Sequence, residues 1–555
     1  MKAISPKSVS FFVICYVIIL SLYLALALPK IDQPITDDEI YEVLNAENIL
    51  AGKRIQLFIP PVYDMLLAGS IVVFGDEPWA LRMPGIISAC IALAAIMAMA
   101  GLISHNRRRV LSALAGLLLA VNPAFVQGSL MLHPDNTLLV PLILIWIYFL
   151  LKFCMNKSMS ALALSGIFLT LSFLIKLPTP MLIAIVATLF VYKYKKEALP
   201  GYLVTILIAF AVFLAGWKAL SLGMGLSFQQ PYTLFLERLN MYLSQVGWKL
   251  WAKNLSILLV WVSPYLLLGI LISIPKIFSK FSKEKSITDL FFLSMLIMSL
   301  YIVISAFNHG YPKYLMPGLA FFILVLIASV FQKEEGLPPI TFFAVLTAAM
   351  TVYFLIFMKD PVYLLRYEIR EALIMGHERI DIMKKFVLQG LVYLLPLFLY
   401  IFLRRVKPAA TRAFSAGCFI LILLLAQTFS LSLKQAYGDY QTNYDYGQRG
   451  SSELYDYLEE KEIKGTDTII ATKEIYYYLG RKDAYLSKNI WADKKRFLKL
   501  LENPRTSIVI VSIPSQTVAF YRNILFSKDA DKYIKKHFNI KTIGTYSVLE
   551  RKSVN

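Results

Sequence analysis

Ile35-Thr36-Asp37-Asp38-Glu39-Ile40-Tyr41-Glu42 follows closely on an apolar run, roughly Val9 to Leu28, that stands behind Lys2 and Lys7. Three adjacent carboxylates at the mouth of a membrane span are costly to keep near hydrocarbon. A chain that places them there keeps them in water or uses them for chemistry. The apolar run ends in Ala25-Leu26-Ala27, which resembles a signal-peptidase site. It is long for a signal segment and the chain stays apolar beyond it, so it reads as a retained first span with the N-terminus in the cytoplasm. With or without cleavage, the acidic stretch lands outside the cytoplasm.

Composition places the chain in a class. Of 555 residues 58% are hydrophobic and 17% charged, against about 25% charged in an ordinary soluble domain. Several apolar runs exceed the ~18 residues needed to cross a bilayer. The net charge is +20, from 56 Lys and Arg against 36 Asp and Glu. A nucleic-acid binder gathers such charge on a soluble face. Here much of it sits in short loops between apolar runs, where it holds a loop in the cytoplasm. Cys15, Cys90, Cys154 and Cys418 lie far apart, in or beside apolar runs, with neither zinc-ligand spacing nor a disulfide framework.

Spans and sidedness follow together. A second span, about Pro84 to Ser104, ends at the cytoplasmic anchor Arg107-Arg108-Arg109. A third, about Val110 to Val126, leads out to His133-Pro134-Asp135, and a fourth, about Thr137 to Phe153, returns. Two spans split by Lys176-Leu177-Pro178 end at Lys193-Tyr194-Lys195-Lys196. The seventh, about Tyr202 to Leu220, leads to an outer loop, Gly223 to Asn254, whose aromatic residues predict helices lying on the membrane surface. The eighth ends at Lys276. The ninth, about Leu290 to Phe307, exits at Asn308-His309-Gly310-Tyr311-Pro312-Lys313-Tyr314. The tenth returns at Gln332-Lys333. The eleventh, Ile340 to Met358, leads to a charged segment, Tyr363 to Lys385. The twelfth ends at Arg404-Arg405, and the last, about Phe414 to Leu433, goes out. The expectation is a polytopic α-helical membrane protein of about 13 spans. Residues 1–433 form its transmembrane domain, with a first outer loop over 29–83, and residues 434–555 a small extracytoplasmic α/β domain. In that tail Leu454, Tyr457 and Leu458 have helical spacing behind a serine cap, and 468–471 and 507–511 read as buried strands.

The ionisable residues at outer span ends are the candidates for chemistry. Asp37, Asp38 and Glu39 open a stretch that Tyr41, Leu44, Asn45 and Asn48 continue at helical spacing. They are solvated loop carboxylates favouring a helix dipole, or a general base toward an incoming hydroxyl. Arg82 snorkels, or pairs with the acidic stretch. Asp135 is an N-cap, or a second acid. Lys176, with almost no loop around it, reads as a snorkelling end residue. His309 and Lys313 bind a lipid phosphate, or anchor the interface together with Tyr311 and Tyr314. His377 and Arg379 read as a solvated helix face. Acid and base concentrated at one interface suit a reaction between a lipid-phosphate substrate and an acceptor outside.

Taken in order, these residues resemble the GT-C glycosyltransferases, in the branch of the protein O-mannosyltransferases and lipid A aminoarabinose transferases. The pattern runs Asp37-Asp38-Glu39-Ile40-Tyr41, a helix ending at Ala51-Gly52, Pro60-Pro61 before a helix ending at Phe74-Gly75, Arg82-Met83-Pro84, Asp135, Leu174-Ile175-Lys176, and Lys313-Tyr314-Leu315-Met316-Pro317. The resemblance covers the whole membrane part. It implies an inverting transferase that uses a polyprenyl-phosphate sugar and needs no nucleotide sugar; the expected place is the plasma (inner) membrane, and no cofactor is required, a divalent metal being compatible but not indicated by the sequence. The acceptor is a lipid, glycan or protein. It makes Asp37 or Asp38 the base, Asp135 the second acid, and Lys313, His309 and Tyr314 the donor-phosphate ligands. Arg82, Glu39, Tyr41 and Lys176 support the site. One departure stands out: Phe58-Ile59 occupy the place where the aminoarabinose branch has Glu-Lys before its Pro-Pro pair, and Lys53 or Arg54 are the candidates to replace that cation. A transporter or flippase of lipid-linked sugars is the competing class. It favours mid-membrane charges and inverted repeats, whereas these charges sit at the outer edge.

Overall fold

The computed structural model describes residues 6–35, 39–53, 55, 61–103, 108–225, 227–229, 233, 263–281, 316–330, 340–358, 379–406, 416–438, 451–461, 468–471, 475, 478, 494–512, 528–544 and 546–552. In chain order the helices are α1 (Pro6–Ala27), α2 (Glu39–Leu50), α3 (Val62–Phe74), α4 (Pro78–Ile103), α5 (Arg108–Ala120), α6 (Pro123–Leu130), α7 (Pro134–Thr137), α8 (Leu139–Asn156), α9 (Met159–Ile175), α10 (Pro178–Tyr194) and α11 (Leu199–Gly223). Then come α12 (Pro264–Phe281), α13 (Met316–Val330), α14 (Ile340–Phe357), α15 (Arg379–Val406), α16 (Ala416–Tyr437), α17 (Ser451–Glu460), α18 (Lys494–Glu502) and α19 (Lys528–His537). The strands are β1 (Thr468–Ile470), β2 (Thr506–Ser512), β3 (Phe538–Ile543) and β4 (Tyr546–Arg551).

Among the described residues, 6 helices are long and apolar enough to cross a membrane, or 7 if one bent pair counts as a span. Shorter apolar helices, α9, α10 and α13 among them, stand where the sequence predicts further spans. The expected span at 290–307 and most of the outer loop at 223–254 lie outside the described residues.

The chain divides into two compact units. The first comprises Met1–Ile31, Tyr41–Phe357 and Phe398–Ala436. Here α4 packs against α3, α5, α6, α7 and α8; α9 packs between α8 and α11; and α13 meets α4, α5, α6, α7 and α8. Helix α16 is buried over most of its length, Gly417 to Ala436. Small residues allow close approach: a Cβ on Gly116 of α5 would lie 2.7 Å from Met97 Cγ and 3.2 Å from Ile19 Cδ1.

Two expected spans come out differently. The second begins at Pro78, not near Pro84, so Arg82 lies inside α4. Pro84 has no N–H to give the Ala80 carbonyl, and Ser70 Oγ donates to that oxygen instead, at 2.6 Å. The third span is broken: Arg109–Ala120 and Pro123–Leu130 meet at 60°. Asn122-Pro123 causes the break. The Asn122 side chain accepts from the N–H groups of Ala124 (3.0 Å) and Phe125 (3.4 Å), and proline takes the first helical position, where a missing N–H costs nothing. Because Phe125 N–H turns to Asn122, the Val121 carbonyl is left over, and Ser432 Oγ of α16 donates to it at 2.8 Å. Tyr23 of α1 donates to Ser129 Oγ of α6 at 2.6 Å.

The second unit comprises Asp32–Ile40, Met358–Leu397 and Tyr437–Asn555. Its sheet has the order β1-β2-β4-β3, with β1 parallel to β2 and the other pairs antiparallel. The amphipathic face that the sequence predicts, Leu454, Tyr457 and Leu458, is buried against Ile469, Ile508, Ile510 and Val548. The β3–β4 hairpin, which the sequence reading leaves unassigned, turns at Gly544 with φ 53. Arg551 ties its end to β2 by donating Nε to the Thr506 carbonyl at 2.6 Å.

Candidate active site

Arg82 is fully buried. Its Nε donates to the Leu130 carbonyl at 2.9 Å, and its Nη1 to the carbonyls of Ile31 (3.3 Å) and Pro78 (3.2 Å). A planar guanidinium is the group that serves several carbonyls at once. It fastens the end of α6 to Ile31, just beyond α1. Of the two readings open for Arg82 in the sequence, snorkelling is excluded by this burial.

Asp135 is 1% exposed and sits in the first turn of α7. Lys176 Nζ, from the turn after α9, donates to Asp135 Oδ2 as an ion pair. His133 caps α7: its Nδ1 accepts from the Asp135 N–H at 3.3 Å and stands 3.5 Å from Asp135 Oδ2. The N-cap is therefore His133, and Asp135 is its neighbour with a carboxylate fixed by a lysine from another helix. Lys176 is a partner of Asp135, not a snorkelling end residue. A carboxylate so buried and paired stays fixed while charge moves beside it.

The packing brings these pieces together. α4, with Arg82, packs against α7, with Asp135, and both pack against α13. In sequence α13 starts three residues after Lys313. Lys313, His309 and Tyr314 themselves lie outside the described residues, as do Asp37, Asp38 and Arg54. Glu39 begins α2 and is buried, Tyr41 is 45% exposed, and Lys53 is exposed just past the helix end.

Sequence reasoning missed a second acidic group. Asp64, in the first turn of α3, is 2% exposed. Asn45 of α2 donates Nδ2 to Asp64 Oδ2 at 3.2 Å, and the Glu42 carboxyl hydrogen-bonds the same group. Burial pushes the Asp64 carboxyl up to about 6, and the bonds from Glu42 and Asn45 oppose that rise. The signal was there: an acid inside the apolar run 62–74 needs a partner or a purpose.

Residues 59–217 match the family model described as dolichyl-phosphate-mannose-protein mannosyltransferase. That segment holds Arg82, Asp135 and Lys176. No curated protein matches the sequence. Among solved structures the chain superposes on ArnT from Cupriavidus metallidurans bound to undecaprenyl phosphate with TM-score 0.53 and 13% identity, over 99% of each chain. The apo state of the same protein gives 0.51 and 13%, over 98% of each. The chain shares the fold of that protein. An oligosaccharyltransferase from Archaeoglobus fulgidus follows at TM-score 0.46 and 12% identity, over 98% of this chain and 75% of that one. By length and composition, the apolar helices among the described residues suit a membrane.

Proposed function

We propose that this GT-C protein is an inverting glycosyltransferase that takes a sugar from a polyprenyl phosphate and gives it to an acceptor hydroxyl on the outer face of the plasma (inner) membrane. The observation that carries the reading is the joint packing of α4, α7 and α13, which gathers Arg82, the Asp135–Lys176 pair and the helix that follows Lys313. The mannosyltransferase family match over 59–217 and the fold shared with ArnT bound to undecaprenyl phosphate support the donor class.

In this reading Asp37 or Asp38 takes the acceptor's proton as the hydroxyl oxygen attacks the anomeric carbon. The bond from that carbon to the phosphate oxygen breaks on the opposite face. The electron pair leaves with the polyprenyl phosphate, whose charge Lys313, His309 and Tyr314 meet, with Lys53 or Arg54 as further candidate cations. A phosphate is already a good leaving group, so positioning and cations suffice and no metal is required. Asp135, held by Lys176, keeps a fixed negative charge toward the developing positive charge on the sugar. Glu39 and Tyr41 support the start of α2, and the 434–555 region lies outside the cytoplasm.

Purified protein in nanodiscs, supplied with polyprenyl-phosphate sugars and candidate hydroxyl acceptors, tests this. Asp37→Asn or Asp38→Asn, whichever removes the base, lowers kcat at least 100-fold. Activity persists in chelator. If the double variant transfers sugar as fast as wild type, the catalytic assignment is wrong.

A further inference from the structure

The Asp64 group joins two helices of the first outer loop. Glu42 and Asn45 are one turn apart on α2, and both meet Asp64 at the start of α3. Asp64 Oδ1 meets no hydrogen-bond donor among the described residues. In sequence, α2 begins directly after Asp37-Asp38.

We propose that Asp64 is a positioning residue: sharing a proton with Glu42 and accepting from Asn45, it pins α2 to α3. Its catalytic consequence rests on the proposed transferase reading; its geometry does not.

The surroundings leave the proton as the neutralising agent. α3 also packs against α4 and α9. α9 carries no titratable side chain, and α4 carries Arg82, bonded to the carbonyls of Leu130, Ile31 and Pro78, and Cys90. α2 itself brings Glu39, Tyr41, Glu42 and Glu47. Among the described residues no Lys, Arg or His is ion-paired with Asp64. The shift is upward for an acid, so the neutral, linking form exists at low pH and is lost as pH rises through about 6. The proton belongs to the Asp64–Glu42 pair, not to one member. Asparagine reproduces the neutral form at every pH, since its amide donates to Glu42 and its oxygen accepts from Asn45.

The test uses the full chain in nanodiscs with Cys15→Ser and Cys90→Ser, spin-labelled at Leu50→Cys on α2 and Val72→Cys on α3, both exposed. The label-to-label distance distribution broadens between pH 5 and pH 8 in this background, stays narrow at both with Asp64→Asn, and is broad at both with Asp64→Ala. In the transfer assay Asp64→Ala lowers kcat at least tenfold with the donor KM within twofold, and Asp64→Asn restores at least half of the loss. A narrow distribution in Asp64→Ala overturns the link. An Asp64→Asn variant as inactive as Asp64→Ala overturns the positioning role, because it makes the proton itself part of the chemistry. The distances are measured without substrate, so they decide the link even if the wild type transfers no sugar.

Discussion

At the scale of single residues, the Asp135–Lys176 pair carries the sharpest expectation. Both side chains are largely buried, Asp135 at 2% and Lys176 at 18% side-chain exposure. Removing one partner strands the other charge, at about 3–5 kcal/mol. Lys176→Met therefore costs more stability than its lost packing, and Asp135→Asn costs a similar amount. The double variant is destabilised by about 2 kcal/mol less than the sum of the two, read as a double-mutant cycle from unfolding in detergent. Additive effects would mean the pair is not coupled. Arg82→Lys removes the fork and keeps the charge. One ammonium does not span three carbonyls, so a loss of about 3 kcal/mol is expected in the same measurement. These two sites show what was legible in the sequence and what was not. Asp135 and Arg82 were visible as ionisable groups beside apolar runs. Their partners were not: Lys176 is 41 positions from Asp135 and the Leu130 carbonyl 48 from Arg82, and no local pattern encodes such pairings.

Among the elements, the spans were legible where apolar runs ended at basic clusters, because hydropathy and charge act locally. The ends were less so. The second span starts early because Ser70 satisfies the carbonyl that Pro84 abandons, a tertiary compensation for a local breaker. The bend in the third was written locally, in Asn122-Pro123, and its reading as one straight span overlooked the cap. Packing of α5 is tight at Gly116, so Gly116→Val pushes Met97 and Ile19 aside. We expect about 1–3 kcal/mol of destabilisation for that overpacking, seen as a lower midpoint in thermal unfolding, with no change if α5 shifts freely. The acid in α3 was passed over because its helix was read only as part of the first outer loop, where a carboxylate needs no explanation.

For the whole molecule, the expected orientation gives a direct measurement. A reporter that works only outside the cytoplasm, fused after Lys461, is active, and one fused after Lys195 is silent. The reverse pattern overturns the sidedness on which the outer-face chemistry depends. The tail's helix and two of its strands were visible in spacing and β-branched runs. The β3–β4 hairpin was not, since half of the residues in its short strands, Phe538–Ile543 and Tyr546–Arg551, are polar or charged and no long apolar run marks them.

The broken third span has a consequence for how such a chain can change over generations. Two of its spare carbonyls, on Val121 and Leu130, are closed by Ser432 from far downstream and by Arg82 from upstream. Neither closure depends on the length of the connections between α11 and α16. Insertions in those connections leave both latches shut, so their lengths are free to drift while the bend into α6 holds its shape.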